Sequence, residues 1–373
     1  MSFTENLRFG GGDDPVYNWP DTRVSVSVDH HGFIYVSDIS ESTVSRFTPK
    51  GVFVEVVIRK GQGPEELEAL TQFQILKDGS ARAYQYQGRA GLLKIFDTSL
   101  HFQKSLRDSD LGLTPLNILW SPSGDWAVIE FNDRDNQAHA ITTHIGLLNH
   151  NMKLQKRFSS TRMPLPSPEK MSDRSFWVSF FAAISQLYFQ NRTLIAFDQS
   201  NRVYLAESEA FLVTRWNSTF TSQEQTFQKS LQKQPWTPTD LDKLAEEISQ
   251  QYTEAYPPAL KPFLTTEIVR EGLEEANPSH GKNPLAGLIV TDDDKLLVIL
   301  NEDRHDGSQS AEVFEPDGSY LGRLNIPHRG LINTDNRPRM IFQGPHAYTM
   351  ETVDEGVHQV VRYTVDWKPK IKP

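Results

Sequence analysis

Oxygen-bearing side chains recur at matching points along this chain, and they are its clearest lead to chemistry. Asp38, Gln87, Glu130 with Asn132, Glu207, Asn301 with Glu302, and Glu351 with Asp354 each stand at or just past the end of a short apolar run. If those runs surround one axis, the oxygens converge, and a hard cation such as calcium takes about six to eight of them. Glu130, Glu207 and Asn301, joined by His280 and His305, form the candidate metal set, with calcium favoured over zinc. Without a cation the same groups, together with Trp177, would bind a small organic molecule.

Histidine offers a second route. His139 and His144 flank one apolar run, while His280, His305 and His328 fall in polar segments. Three imidazoles brought together would hold zinc or another transition metal. The step from His139 to His144 puts that pair on opposite faces of a strand, so they do not act together. Phe176-Trp177-Val178-Ser179-Phe180-Phe181 is unusually aromatic. It reads as a buried strand at or before the fourth repeat, or as an apolar wall for a ligand. Gly61-Gln62-Gly63-Pro64 lacks the Lys-Ser/Thr of a phosphate loop, and Pro64 removes a donor, so a turn is expected there. No Gly-x-Ser-x-Gly elbow nominates a serine nucleophile.

The elements that would position these groups are strands in a repeating unit of about 45 to 55 residues. Asp29-His30-His31-Gly32 and Pro316-Asp317-Gly318 are turns between runs that alternate apolar and polar residues, the period of half-buried strands. Six such units are countable. The last lacks a fourth strand, and Leu7-Arg8-Phe9-Gly10-Gly11-Gly12 resembles the segment Val57-Ile58-Arg59-Lys60-Gly61-Gln62-Gly63 that ends the first unit. The N-terminus is therefore expected to supply the missing strand and close the ring, since an open array would leave sticky edges. The fold class is all-β: one six-bladed β-propeller domain over residues 1–373, with a helical insertion at 221–283 between blades four and five. Thr237-Pro238-Thr239-Asp240 caps its first helix, Leu241, Leu244, Ile248 and Tyr252 form its apolar stripe, and a second helix spans Thr266 to Ala276. The insertion reads as packing between blades, or as a lid over the channel.

The 373 residues carry a formal net charge of −10 with basic residues scattered, which argues against nucleic acid as a partner. The absence of cysteine removes thiolate chemistry and iron–sulfur ligation. No apolar run approaches the roughly 18 to 20 residues of a membrane span. The N-terminus, without a leader, reads as cytoplasmic, or as periplasmic or secreted if a signal segment has been trimmed.

With the repeats laid out, the chain resembles the bacterial six-bladed propellers of the NHL-like and TolB-like group. Gly61-Gln62-Gly63-Pro64-Glu65, Val313-Phe314-Glu315-Pro316-Asp317-Gly318-Ser319-Tyr320-Leu321-Gly322 and Asp354-Glu355-Gly356-Val357 carry that resemblance, which spans nearly the whole chain. It implies architecture and no single chemistry. Gluconolactonase-like and paraoxonase-like propellers, similar in architecture only, use a bound cation to polarise a lactone or ester. The expected function is a scaffold whose channel-face loops bind a small molecule or protein. The alternative is an enzyme, either a metal-assisted hydrolase or lactonase or a lyase or cyclase, acting on a small substrate in the channel.

Overall fold

The computed structural model describes residues 1–368 apart from 13, 15, 20–23, 88–89, 136–138, 167–170, 279–280, 303–307, 328–339 and 353–356. After β1 (Ser2–Phe9), blade one holds β2 (Val24–Val28), β3 (Ile34–Asp38), β4 (Thr43–Phe47) and β5 (Phe53–Lys60), with a short β6 (Glu66–Leu67) leading out. Blade two holds β7 (Leu70–Ile75), β8 (Ala81–Gln87), β9 (Ala90–Phe96) and β10 (Phe102–Arg107), followed by the one-turn helix α1 (Asp108–Leu111). Blade three is β11 (Pro115–Trp120), β12 (Trp126–Asp135), β13 (Ala140–Asn149) and β14 (Leu154–Pro164), after which comes α2 (Arg174–Phe189). Blade four is β15 (Thr193–Phe197), β16 (Val203–Glu207), β17 (Leu212–Trp216) and β18 (Gln223–Gln228). Helix α3 (Pro238–Ala255), a 3-10 segment (Pro258–Phe263) and α4 (Thr266–Glu275) follow. Blade five is β19 (Leu285–Val290), β20 (Leu296–Leu300), β21 (Gln309–Phe314) and β22 (Tyr320–Ile326). Blade six has β23 (Met340–Gln343), β24 (His346–Thr352) and β25 (His358–Asp366), and β1 completes it, antiparallel to β25 from Ser2↔Asp366 to Phe9↔Val360.

One turn type builds most of the repeat. Its first residue donates N–H to the carbonyl of the fifth, and the fourth donates back to the first, as at Asp29–Phe33, Thr48–Val52, Asp97–His101, Asp198–Arg202 and Glu315–Ser319. The fourth residue must take positive φ. Glycine fills it at 32, 51, 79 and 318, and at 124 where the turn is one residue longer, but Leu100, Met152, Asn201, Asp294 and, in a second longer turn, Phe220 adopt it elsewhere, with φ of 59–64°.

The hydrophobic core is divided among the seams between blades. Along β20 all five residues are buried, and the period of two shares them out: Leu296, Val298 and Leu300 face blade four, while Leu297 and Ile299 face blade six. Blade six meets blade one through Tyr348 and Val360 against Trp19, Val26, Val28, Ile34, Val36 and Phe47, so the ring is closed by packing as well as by pairing.

The helical elements differ from expectation in three ways. Residues 174–189, which hold the aromatic stretch expected to be a strand, form α2. A strand with Phe176, Trp177, Phe180 and Phe181 would leave half of them on each face; the helix buries them against α3 and α4 instead. The insertion expected at 221–283 begins later, because residues 223–228 form β18, the outer strand of blade four. The stripe of α3, including Leu241 and Ile248, packs against α2 and α4 rather than on a blade, giving one three-helix cluster built from the segments on both sides of blade four. The expected cap is present: Thr237 and Asp240 exchange side-chain-to-backbone hydrogen bonds. The second helix is present as α4, with Thr265 as its cap. Among the described residues no helix is long and apolar enough to cross a membrane.

Candidate functional site

The first strands of the blades, β2, β7, β11, β15, β19 and β23, each end a sheet and together surround the axis. They enclose a channel cavity of about 1050 Å³. On blades one and two the lining runs the whole length of the inner strand, from Val24 to Val28 and from Leu70 to Lys77. On blades three to five only the later part contributes, as with Ile118–Trp120, Ile195–Phe197 and Leu288–Val290. Towards the face where second strands turn into third ones, the cavity is therefore offset to blades six, one and two. Ser40, Ser42, Lys60, Glu68, Tyr86, Thr352 and His358 stand at that mouth. His30, Lys77, Gln199, Asp292 and Gln343 stand at the other.

Inner-strand side chains organise the walls. Ser25 and Ser27 alternate with buried Val26 and Val28, so hydroxyls reach the channel side while valines fill the seam. Gln72 and Gln74 pair with the neighbouring inner strand as a backbone would. The Ile118 N–H donates to Gln72 Oε1 at 2.9 Å, the Trp120 N–H donates to Gln74 Oε1 at 3.1 Å, and Gln74 Nε2 returns a bond to the Trp120 carbonyl at 2.9 Å. At the rim, Ser42 Oγ accepts from the Leu70 N–H at 3.1 Å and ties blade one to the start of blade two. At the opposite mouth, burial pushes the Asp292 carboxyl above the usual carboxylate range, with Asp293 adding to the effect, against the Gly344 N–H that donates to it.

Among the described residues, none of those expected to form the site lines this cavity. Asp38, at the end of β3, accepts from Ser40 Oγ at 2.6 Å and from the Glu41 N–H, so it holds the turn whose Ser40 lines the mouth. Gln87 ends β8 beside the lining Tyr86. Glu130 and Asn132 do not stand in a loop: β12 continues to Asp135, and they accept from Asn117 Nδ2 at 2.9 Å and the Thr143 hydroxyl at 2.8 Å. Glu207 accepts from the Thr193 hydroxyl, Asn301 donates to the Asn283 carbonyl, and Glu302 meets Arg323 at 3.3 Å. Glu351 lies between the lining residues Met350 and Thr352 and so points the other way, where it binds Arg8 of β1 at 2.8 Å and Tyr363. Trp177 is fully buried in the helical cluster, its indole N–H donating to the Met171 carbonyl. His144 is held by Asp133 and Ser160, while His280, His305, His328 and Asp354 lie outside the described residues. Among the described residues no three His, Asp or Glu side chains stand together as a metal site.

Sequence reasoning missed the polar groups of the inner strands and of the connections between blades, such as Lys60 and Glu68. The signal was there: a blade's first strand would be uniformly apolar if the channel were filled, and Ser25, Ser27, Gln72 and Gln74 break that pattern at every second residue. Gly61-Gln62-Gly63-Pro64 is the expected inter-blade turn. It presents carbonyls rather than N–H groups, and Lys94 Nζ donates to those of Gly63 at 2.7 Å, Pro64 at 3.1 Å and Glu66.

No family model matches the chain, and no curated protein does. Solved structures do. A protein of Bacteroides fragilis described as exported matches with a TM-score of 0.50 at 9% identity, covering 98% of this chain and 94% of its own. A member of the DUF4221 family from Bacteroides vulgatus matches at 0.47 and 8%, covering 98% of each chain. Virginiamycin B lyase from Staphylococcus aureus matches at 0.40 and 11%, covering 98% of this chain and all of its own. At 9% identity the first of these likenesses is one of fold alone, and the fold, given by the six sheets, is the six-bladed propeller.

Proposed function

We propose that this protein is a small-molecule-binding propeller, of the bacterial NHL-like or TolB-like kind that its turn motifs resemble, with its ligand held in the central channel. The observation that carries the reading is the 1050 Å³ cavity among the inner strands, which matches the upper end of the roughly 300–1,000 Å³ typical of ligand sites. Among the described residues its lining sets Lys60 and Lys77 against Glu68 and Asp292, a balance that suits a neutral or zwitterionic ligand. Apolar Val26, Phe73, Ile118 and Phe342 supply the buried walls, and the serines, glutamines and strand edges supply hydrogen bonds. Entry is at the mouth formed by blades six, one and two. A thermal-shift screen of neutral and zwitterionic metabolites tests this. Compounds that raise the melting temperature of the natural protein should do so less for Ser25→Phe, which puts a bulky ring into the channel; equal shifts in a folded Ser25→Phe protein would place the site elsewhere.

A second reading, a lyase or cyclase, is favoured by Phe73, Phe197, Phe342 and Tyr86 lining the same channel as Glu68. It predicts that bound compounds are converted, which mass spectrometry of the mixture would reveal.

A further inference from the structure

Asp133, His144 and Ser160 stand side by side across β12, β13 and β14 of blade three. Register puts them there: His144 lies directly opposite Phe131 on one neighbour and Ser160 on the other, and Asp133 is two residues beyond Phe131 on the same face. His144 Nε2 is 2.9 Å from Asp133 Oδ2, and His144 Nδ1 is 2.7 Å from Ser160 Oγ. A carboxylate can only accept, so the hydrogen of the neutral ring resides on Nε2 and is donated to Asp133. Nδ1 is then a lone pair that accepts from the Ser160 hydroxyl. The imidazole is buried and stacks on Phe131 with ring centroids 5.0 Å apart, whereas Ser160 is exposed. A hydroxyl, a base and an acid that orients the base make up the constellation that activates serine, with the two ring nitrogens exchanged relative to the serine-protease arrangement.

Two further features surround the trio. The strands that carry it, of 10, 10 and 11 residues, are the longest in the described structure, so blade three projects beyond what its place in the ring requires. On β14, Arg157 and Arg162 lie on either side of Ser160; Arg157 sits over the Phe131 ring and 3.9 Å from Asp133, and Arg162 is 3.6 Å from Asp135. Their charge favours an oxyanion forming next to Ser160.

We propose that Ser160 is a nucleophile towards small activated esters, with His144 as its general base and Asp133 as a positioning residue, at a site separate from the channel. Ser160 Oγ forms a bond to the ester carbonyl carbon as its proton passes to His144 Nδ1. The carbonyl electron pair moves to oxygen, then returns and expels the alkoxide, which leaves with the proton from Nδ1 as an alcohol. Water, deprotonated by the same nitrogen, attacks the acyl carbon; the bond to Ser160 Oγ breaks, Nδ1 returns its proton to that oxygen, and the acid leaves.

The test is the rate of covalent labelling by a fluorophosphonate ester, with the modified residue mapped by peptide mass spectrometry. The natural protein should be labelled at Ser160 and Ser160→Ala should not. His144→Gln should slow labelling at that position by about 100-fold or more, the usual contribution of a general base. Because His144 is buried and its replacement could unfold the chain, Asp133→Asn serves beside it: this side chain is 60% exposed, and its loss should slow labelling by about tenfold while the melting transition stays intact. Absence of label at Ser160 in the natural protein would overturn the proposal, and so would an unchanged rate in folded Asp133→Asn.

Discussion

Closure of the ring rests on β1, and Phe9 is the residue through which that strand reaches blade one. Its ring lies 5.1 Å from Phe47, 6.1 Å from Trp19 and 6.3 Å from Tyr17, centroid to centroid. Phe9 is half-buried, so Phe9→Ala falls at the lower end of the 3–5 kcal/mol of a buried phenylalanine, and about 3 kcal/mol is expected. For a chain of this length the unfolding entropy is on the order of 0.8 kcal/mol per kelvin, so the melting temperature should fall by about 4 °C. Gly51 makes the test sharper. It has φ of +75°, and a Cβ there would lie 2.6 Å from Phe9 Cδ1. Gly51→Ala therefore costs about 1–2 kcal/mol for the backbone conformation alone, and more for the collision. In the Phe9→Ala background the collision disappears while the backbone cost remains, so the double variant should be more stable than additivity predicts by about 1 kcal/mol or more. Urea unfolding of the four proteins measures this directly. Additive effects, or a Phe9→Ala loss below about 0.5 kcal/mol, would mean that β1 does not bind blade one as described.

Other consequences are equally measurable. Glu312 is fully buried between blades four and five and accepts from Lys229 at 2.7 Å, Arg323 at 2.9 Å and Tyr320. Glu312→Ala should cost about 2–3 kcal/mol in chemical denaturation, rather than more, because Lys229 and Arg323 can both reach water. Burial opposes ionisation of Glu312, yet the Lys229, Tyr320 and Arg323 bonds outweigh it and lower the pKa. Its contribution is thus present above the unfolded-state pKa and lost as pH falls through the folded one, so the variant should show a shallower acid limb than the natural protein. Asp240 behaves similarly: burial raises its pKa, but Lys282 and Thr237 more than offset this and hold it at about 2. Asp240→Asn should remove about 1 kcal/mol at neutral pH, with the difference from the natural protein vanishing between about pH 4 and pH 2. Lys94→Met leaves three carbonyls of the first inter-blade turn without their donor and should cost about 2 kcal/mol, read by thermal melting.

Much of the ring was legible because its turns are local chemistry. Asp29 to Gly32 and Glu315 to Gly318 advertise a positive-φ fourth position with glycine, and Thr237 to Asp240 advertises a helix start. Where Leu100, Met152 or Phe220 occupies the same backbone position, tertiary packing fixes a conformation that the residue type does not signal. Strand β18, Gln-Glu-Gln-Thr-Phe-Gln, has one buried residue because it is a blade's outer edge, so no alternation marked it. Helix α2 was misread for the opposite reason. A short run that is apolar on most sides carries no period, and only its burial among α3 and α4 decides for a helix. The candidate site was less legible still. Glu207 and Glu351 do stand at strand ends, whereas Glu130 lies within β12, and the alternation of a strand turns all three side chains to hydrogen-bond partners within the blades, while the channel is lined from the inner strands instead.

The central claim is that ligands bind in the channel, and crystallographic fragment screening tests it most directly. Soaking several hundred small polar fragments should give bound density clustered among Ser25, Ser42, Gln72, Tyr86 and Thr352, where the cavity opens between blades six, one and two. Fragments that settle only on outer blade surfaces and leave those residues untouched would contradict it.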